Sequence, residues 1–371
     1  MPGKEPRRQP PPQTPALDTV TAPFNRGAPR RPTLKDVARR VGVDPSLVSR
    51  AVNDDPRSSA SEATRRRILE AVEELGYSPS AMGRALRSSR SLTMGMLLPD
   101  ISNPMYQAVV TGAEKRAEEL GYGIALGIHV EGAREATFLN MLRESRVDGL
   151  LVASGVLTDE FLAQVGSEKN GPMVFVNRRV KGVQSSVVVD DAAGARMAVQ
   201  HLAELGHRRV LGLFGPRFVE TSTRRRRGFL DACKRLELGA STLELTGWRA
   251  DDGYRGALEA FAGAQRPTAV FASTLTLGLG VLRASHEMGL EVPNEVSVIS
   301  LHDNYVADFL FPALTTVRMP STEMGAAGVD QLVSIIQGGE HRQVILRDRP
   351  QLIVRASTAR RRPADVEGPD D

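Results

Sequence analysis

The residues of this 371-residue chain that could do chemistry are polar side chains at the ends of apolar segments. Asn103 and Tyr106 follow the segment LTMGMLLPD, and Asn177 and Arg178 lie at the end of MVFV in MVFVNRRV. Amide, hydroxyl and guanidinium groups suit hydrogen bonding to the hydroxyls or the carboxylate of a small ligand. Asn103 could equally be a helix cap, and Tyr106 a core aromatic.

A second group is the run Arg224–Arg227 in GPRFVETSTRRRRGF, which we place at the start of a helix capped by Ser222 or Thr223. Cations at a helix N-terminus oppose the helix dipole. At least one of the arginines should therefore have an anionic or polar partner, and the others should face solvent.

The sequence shows no catalytic or metal-binding constellation. It has no G-x-x-x-x-G-K-[ST], no G-x-S-x-G and no H-E-x-x-H. The single cysteine, Cys233, excludes an internal disulfide and a cysteine metal cluster. His302 and Asp303 are the only adjacent pair that an α/β enzyme could use as acid and base. We predict no enzyme, no metal and no cofactor.

The elements that must position functional groups begin with LKDVARRVGVDPSLVSRAVN, Leu34–Asn53. A first helix, capped by Thr33, turns one apolar stripe inward at i, i+3, i+4, i+7 spacing: Leu34, Val37, Ala38 and Val41. Gly42 and Val43 make a tight turn. Asp44 caps a second helix with Pro45 at its first position, where proline costs no hydrogen bond.

The second helix faces inward with Val48, Ala51 and Val52, which leaves Ser46, Ser49 and Arg50 outside. A third helix starts near Ser61 and adds Ile68, Val72 and Leu75 to the same core. Three short helices of this kind form a helix-turn-helix module, here over residues 32–78. Its second helix can enter the DNA major groove, where Arg50 could reach a guanine or a phosphate.

Charge supports this interpretation. Residues 1–90 hold 17 Lys and Arg against 10 Asp and Glu, and the rest of the chain holds 31 against 34. A basic head on a slightly acidic body indicates that only the head meets a polyanion.

The segment GYSPSAMGRALRSSRS spans Gly76–Ser91, and its residues 79–91 form the predicted hinge helix and linker between the head and the body. Pro79 should end the third helix, and Ser80 could cap a short helix through Leu86 or Arg87. A basic helix with Arg84 and a single prominent apolar residue, Leu86, suits the minor groove, where apolar wedges bend the duplex. A flexible linker is the alternative.

Taken in order, T-L-K-D-V-A-x-x-V-G-V-x-x-x-x-V-S-R-x-V-N, T-R-x-x-I and L-G-Y-x-P resemble the head of the lactose/galactose repressor family of bacterial regulators. The similarity continues to about Thr358. The predicted DNA-binding residues are Thr33, Pro45, Ser46, Leu47, Ser49, Arg50, Asn53, Arg84 and Leu86.

The body alternates buried-strand runs with helical stretches, the βαβ rhythm of doubly wound parallel sheets. Predicted strands are LTMGMLLPD, GIALGI, DGLLVAS, MVFVN, SSVVVD, RRVLGLFG, AVFAS and VSVISL. The resemblance implies two such subdomains, as in periplasmic sugar-binding proteins, with the ligand between them. We place the boundaries at 92–189 with 319–342 for the first subdomain, and at 190–318 with 343–358 for the second.

The resemblance also assigns ligand positions. Arg225 matches the ligand-binding arginine of the R-x-x-G-[FW] motif. Ser273, Thr274 and Leu275 replace the usual Asn-Asp, and His302 stands at the ligand-facing aspartate. These departures favour an acidic, aromatic or modified ligand over a simple free sugar. The predicted effector-binding residues are Asn103, Tyr106, Asn177, Arg178, Arg225, Thr274, His302 and Asp303.

Both ends of the chain, residues 1–31 and 359–371, are predicted to be disordered; the first is rich in proline and arginine. No apolar run approaches the roughly 18 residues of a membrane helix, and the N-terminus lacks a secretory signal. We expect a cytoplasmic protein without a membrane partner.

The family's members bind near-palindromic double-stranded operators as dimers, and a carbohydrate-like effector controls them. The resemblance thus implies a homodimeric repressor, or a higher oligomer, with Tyr106–Leu120 and Leu277–Met288 as candidate dimer helices. A solute-binding protein or a sugar-modifying enzyme on the same α/β fold is the alternative.

Overall fold

The chain divides into two units, residues 1–80 and 81–371. The structure is a computed structural model that describes residues 32–53, 59–77, 90–128, 134–153, 163, 170–263 and 265–361. No helix in these ranges combines the length and the apolar character needed to span a bilayer.

The first unit contains the three predicted helices, α1 (Leu34–Val41), α2 (Pro45–Val52) and α3 (Glu62–Leu75). Asp36 Oδ2 accepts hydrogen bonds from the Thr33 amide at 2.8 Å and from the Thr33 hydroxyl at 2.6 Å, which fixes the start of α1. Gly42 then takes a left-handed conformation (φ 74°), which an L side chain disfavours. Asp44 accepts from the Ser46 amide at 2.8 Å and begins α2.

A small apolar core holds these helices together, and it is the predicted one. Its buried members come from all three helices: Val37, Ala38, Val41, Val48, Ala51, Ile68 and Ala71. The end of α3 differs from the prediction that Pro79 would end it. The helix ends at Leu75, because Gly76 turns left-handed (φ 62°) and closes the last turn. The predicted hinge helix, with Arg84 and Leu86, lies outside the described residues, as do residues 1–31 and 362–371.

The second unit carries two six-stranded sheets, each flanked by helices, so the predicted fold class is confirmed. The first sheet has the order β11-β5-β4-β3-β1-β2, and all its pairings are parallel. Its strands are β1 (Thr93–Leu98), β2 (Gly123–Ile128), β3 (Gly149–Val152), β4 (Met173–Val176), β5 (Ser186–Val188) and β11 (Gln343–Ile345). Its helices are α4 (Pro104–Glu119), α5 (Arg134–Arg143) and α10 (Ser321–Ile336).

The second sheet has the order β12-β10-β9-β8-β6-β7 and is parallel except for the β10–β12 pair. Its strands are β6 (Arg209–Phe214), β7 (Gly239–Glu244), β8 (Ala269–Ala272), β9 (Ser297–Leu301), β10 (Thr315–Arg318) and β12 (Gln351–Ile353). Its helices are α6 (Asp191–Glu204), α7 (Glu220–Arg235), α8 (Ala250–Ala262) and α9 (Leu275–Glu287), and a 3-10 turn spans Tyr305–Phe309.

All eight predicted strands are present, and four others were missed. The missed strands β7 and β11 lie at sheet edges and alternate weakly, and β10 and β12 are short and partly polar. One subdomain boundary was wrong. Residues 343–345 were assigned to the second subdomain, yet β11 pairs with β5 in the first sheet, so the chain crosses back only after Ile345.

Close backbone packing joins α4 to α10 in the first subdomain. A Cβ on Gly112 would lie 1.9 Å from the Thr322 carbonyl oxygen, and one on Gly325 would lie 2.0 Å from that of Val109. The two helices therefore meet at a distance that only glycine permits.

We expect Gly112→Ala to lower the free energy of unfolding of the body by about 1–3 kcal/mol or more, because the methyl group forces two backbones apart. Chemical denaturation measures this change. Gly123→Ala is the matched control, since a Cβ there meets no atom within 4 Å. Equal stability of the two variants would contradict the close contact.

Candidate functional site

The outward face of α2 is the candidate DNA-reading surface. Ser46, Ser49, Arg50 and Asn53 follow one another at i, i+3, i+4, i+7 spacing, and Val48 and Ala51 anchor the opposite face in the core. Ser46 and Asn53 are exposed, and Ser49 and Arg50 are half-buried.

The remaining head positions frame this helix. Thr33 is the N-cap of α1, Pro45 is the first residue of α2, and Leu47 is half-buried. Hydrogen bonds from Ser46 lower the pKa of Asp44, so the capping carboxylate stays charged at neutral pH. The negative cap complements the positive end of the helix dipole.

A cleft of about 870 Å³ opens between the two subdomains, at the carboxyl ends of their strands. Ligands of parallel sheets bind at this edge. Of the predicted effector residues, the cleft brings together Asn103, Tyr106, Asn177, Arg225 and Thr274. It also exposes side chains that sequence reasoning did not assign: Asp100, Thr221, Trp248, Asp252 and Thr276.

Arg225 is the most constrained cation of the cleft wall, with 3% of its surface exposed. Its Nε donates to Asp191 Oδ1 at 2.7 Å, and its two other nitrogens donate to the Ser273 carbonyl at 3.0 Å and to His302 Nε2 at 2.9 Å. Arg224 donates to the second oxygen of Asp191 at 2.6 Å. Burial alone would raise the pKa of Asp191, but Arg225 and Arg224 lower it overall.

His302 is held neutral beneath Arg225. Burial, followed by the charge of Arg225, lowers the pKa of His302 to about 3. Because a guanidinium can only donate, Nε2 must be the acceptor and the proton must sit on Nδ1. That Nδ1 is buried and has no hydrogen-bond partner among the described residues.

Residues of the first subdomain combine structural roles with access to the cleft. Asn103 caps α4 by accepting from the Met105 amide at 3.1 Å, and Tyr106 is 93% buried. Both residues also line the cleft, so each has a structural role and is still accessible to a ligand. Burial raises the pKa of Tyr106 to about 12, which keeps its hydroxyl protonated. Asn177 has a left-handed backbone (φ 67°), and its buried Oδ1 has no partner in the part of the chain that the structure describes.

Three predicted effector residues do not line the cleft: Arg178, His302 and Asp303. Arg178 is 1% exposed. Asp303 binds Thr316 at 2.7 Å, Arg318 at 2.8 Å and Arg355 at 2.9 Å. Adjacent residues point apart here, so His302 contacts Arg225 while Asp303 contacts β10. The two do not form an acid–base pair.

The start of α7 also differs from the prediction. The helix begins at Glu220, so Ser222 and Thr223 lie inside it and do not cap it. The predicted anionic partner exists, because Arg224 and Arg225 share Asp191. The prediction that the other arginines face solvent is wrong for Arg224, whose side chain is 13% exposed, and it holds for Arg227, which is exposed.

The cleft residues missed by sequence reasoning follow β1 or β7 or occupy the first turns of helices. Trp248 is the only tryptophan of the chain and comes four residues after β7, an edge strand whose mixed pattern hid it. Asp252 accepts hydrogen bonds from the Arg249 amide and the Thr246 hydroxyl and so shapes this loop.

No group of three or more potential metal ligands occurs among the described residues.

Comparison with known proteins places these features in one family. Residues 33–80 match the profile of bacterial regulatory proteins, lacI family, and residues 199–358 match the periplasmic binding protein-like domain. The HTH-type transcriptional repressor PurR of Erwinia tasmaniensis is 33% identical over 88% of this chain and 97% of its own length. PurR of Edwardsiella ictaluri is 32% identical over the same shares.

Solved structures agree. The lac repressor dimer bound to operator and the anti-inducer ONPF has 27% identity and a TM-score of 0.77 over 89% of this chain and all of that one. The transcriptional regulator CelR in complex with cellobiose has 30% identity and a TM-score of 0.66 over 88% of this chain and all of that one.

A helix-turn-helix head together with a two-subdomain body of the periplasmic-binding-protein type defines a DNA-binding transcription regulator, not an enzyme. The chain belongs to the lacI family of bacterial regulatory proteins, as its head and body motifs predicted.

The low pKa of His302 makes stability depend on pH. In an unfolded chain this group titrates near 6.5, whereas in the fold it titrates near 3, so the unfolded state takes up more protons as the pH falls below 6.5. Stability is therefore lost between pH 6.5 and about 3. In the His302→Asn variant, the free energy of unfolding should fall less steeply below pH 6.5 than in wild type, by up to about 1.4 kcal/mol per pH unit.

Urea denaturation at several pH values measures this slope. His286→Asn, at an exposed histidine of α9, is the matched control. Parallel pH dependences for wild type and His302→Asn would contradict a buried neutral His302.

Proposed function

We propose that this protein is a repressor that binds a near-palindromic operator as a homodimer, under the control of a small polar effector bound in the cleft. The observation that carries the proposal is the cleft itself. It places hydrogen-bonding side chains of both subdomains around one opening of about 870 Å³, within the size range of small-molecule sites. A ligand there contacts both subdomains and so favours one of their arrangements.

The effector is a metabolite of the size of a sugar or a nucleobase. Trp248 offers a flat face for stacking, and the Tyr106 hydroxyl offers a donor. The unpartnered Asn177 Oδ1 offers an acceptor. The lac repressor bound to ONPG and CelR bound to cellobiose show that similar proteins take small molecules of this size.

Operator binding by α2 follows from its small outward residues and Arg50. Ser46 and Ser49 permit close approach to base edges, and Arg50 can donate two hydrogen bonds to guanine. One head makes few base contacts, so two heads supply both affinity and half-site spacing. The relatives named as repressors, and the lac repressor dimer on its operator, support this assignment.

Dimerisation is supported by exposed aromatic surface. Phe309 is 82% exposed, Phe311 is fully exposed, and Tyr305 is 67% exposed and makes an edge contact with Phe309. Apolar patches of this kind mark interaction sites. In the two helices considered from the sequence, most apolar side chains are used inside the protomer: Met105, Tyr106, Val109, Leu277 and Val281 are buried. We therefore place the dimer contact at this aromatic patch rather than on those helices.

Arg50→Ala should lower the affinity for the cognate operator by about 1–3 kcal/mol if Arg50 reads a base. The operator is first selected from a random inverted-repeat library, and fluorescence anisotropy then measures binding at fixed salt. Arg342→Ala, an exposed arginine of the body, is the control. An equal loss on random duplex would make Arg50 a phosphate contact, and the absence of any selected operator would refute the proposal.

Effector binding should change the fluorescence of Trp248, the single tryptophan, without any label. We expect saturable quenching or a spectral shift with the right sugar, nucleoside or base, and weaker binding in Asn177→Ala, which removes the free acceptor. The Trp248→Phe variant is the control: because it has no tryptophan fluorescence, its response to the ligand is measured as a change in operator affinity. A ligand that shifts the operator affinity but leaves Trp248 emission unchanged would place the effector site elsewhere.

A further inference from the structure

Two faces of helix α7 line two different cavities. The face with Thr221 and Arg225 lines the cleft, whereas Ser222, Arg226 and Leu230, at i, i+4 spacing, line a separate pocket of about 290 Å³. The end of β6 and the edge strand β7 complete this pocket. Like the cleft, it lies at the carboxyl end of parallel strands, where ligands of such sheets bind.

The pocket carries an uncompensated positive charge. Arg217 pairs with Glu244 at 2.6 Å, and Arg227 pairs with Asp231 at 3.7 Å. Arg226 is half-buried and makes no hydrogen bond or ion pair within the described part of the chain. It is the one member of the arginine run that neither Asp191 nor Asp231 neutralises. A partly desolvated guanidinium favours an oxyanion as its partner.

A second observation points the same way. Ser222 is 3% exposed and lies in the wall of this pocket, and its hydroxyl has no hydrogen-bond partner among the described residues. A buried hydroxyl without a partner is unfavourable, and a ligand oxygen would satisfy it.

We propose that this pocket binds a small oxyanion-bearing metabolite, a phosphomonoester or a carboxylate, as a second regulatory ligand. Arg226 supplies the charge-assisted hydrogen bonds and Ser222 a neutral one. The Phe214 and Leu230 side chains contact the apolar part of the ligand. Because Ser222 and Arg226 belong to the same helical turns as Thr221 and Arg225, occupancy of the pocket is coupled to the geometry of the cleft.

Isothermal titration calorimetry on the full chain tests the site at constant ionic strength. The probes are inorganic phosphate, glycerol 3-phosphate and malonate, with glycerol as the uncharged control. At least one anion should bind saturably, one per chain, and glycerol should not. Binding of glycerol 3-phosphate alone identifies a phosphomonoester ligand, and binding of malonate alone identifies a carboxylate. No saturable binding of any of the three anions would overturn the proposal.

Variants locate the binding. Arg226→Gln should weaken it about ten-fold or more, since it removes a charge-assisted hydrogen bond, and Arg226→Lys should weaken it less. Ser222→Ala should weaken it by a smaller factor without lowering the melting temperature, because the hydroxyl has no partner to lose. Arg283→Gln, an exposed arginine on α9, should leave it unchanged. If Arg226→Gln binds the anion as tightly as wild type, the anion binds at another site, such as the cleft near Arg225.

The binding test is independent of the proposed repressor function. Operator affinity of wild type and Arg226→Gln, with and without the bound anion, then measures the coupling. If the anion changes the operator affinity of wild type but not that of Arg226→Gln, the pocket has a regulatory role. Anion binding with no effect on the operator in either protein would leave the site in place and refute its role in regulation.

Discussion

The buried ion pair between Asp191 and Arg225 is the interaction on which the cleft depends. It ties the start of α6 to α7, and through Ser273 and His302 it reaches the ends of β8 and β9. Asp191 is fully buried, so removing either charge would strand the other in a medium of low dielectric, at a cost of about 3–5 kcal/mol. The network therefore sets the shape of the ligand opening before any ligand arrives.

His302 adds a neutral partner next to this ion pair. A second acid beside Asp191 would give Arg225 two negative partners, whereas a neutral imidazole leaves it one. The three nitrogens of Arg225 are bonded to Asp191, Ser273 and His302, whereas the Asn177 Oδ1 acceptor has no partner among the described residues.

Contacts between the subdomains explain how a ligand signal can spread through the body. The Asn177 carbonyl, in the first subdomain, accepts hydrogen bonds from Thr221 at 2.8 Å and Arg224 at 3.4 Å, both on α7 of the second. Arg179 pairs with Glu220 at 2.9 Å across the same boundary. A change in the angle between the subdomains must therefore move the N-terminal turns of α7, which also carry Arg225 and the pocket-lining Ser222 and Arg226.

The sequence by itself determined the three-helix head, eight of the strands and the class of protein, because apolar periodicity, caps and turn glycines act within a few residues. It also required an anion near the arginine run but did not identify it. Only the tertiary structure decided that Asp191, 34 residues away, is this partner and that His302, 77 residues away, lies beneath Arg225 while Asp303 points to β10. It also decided that β11 returns to the first sheet. Such pairings depend on how chain crossings bring distant loops to one edge of a sheet, and no local pattern encodes that geometry.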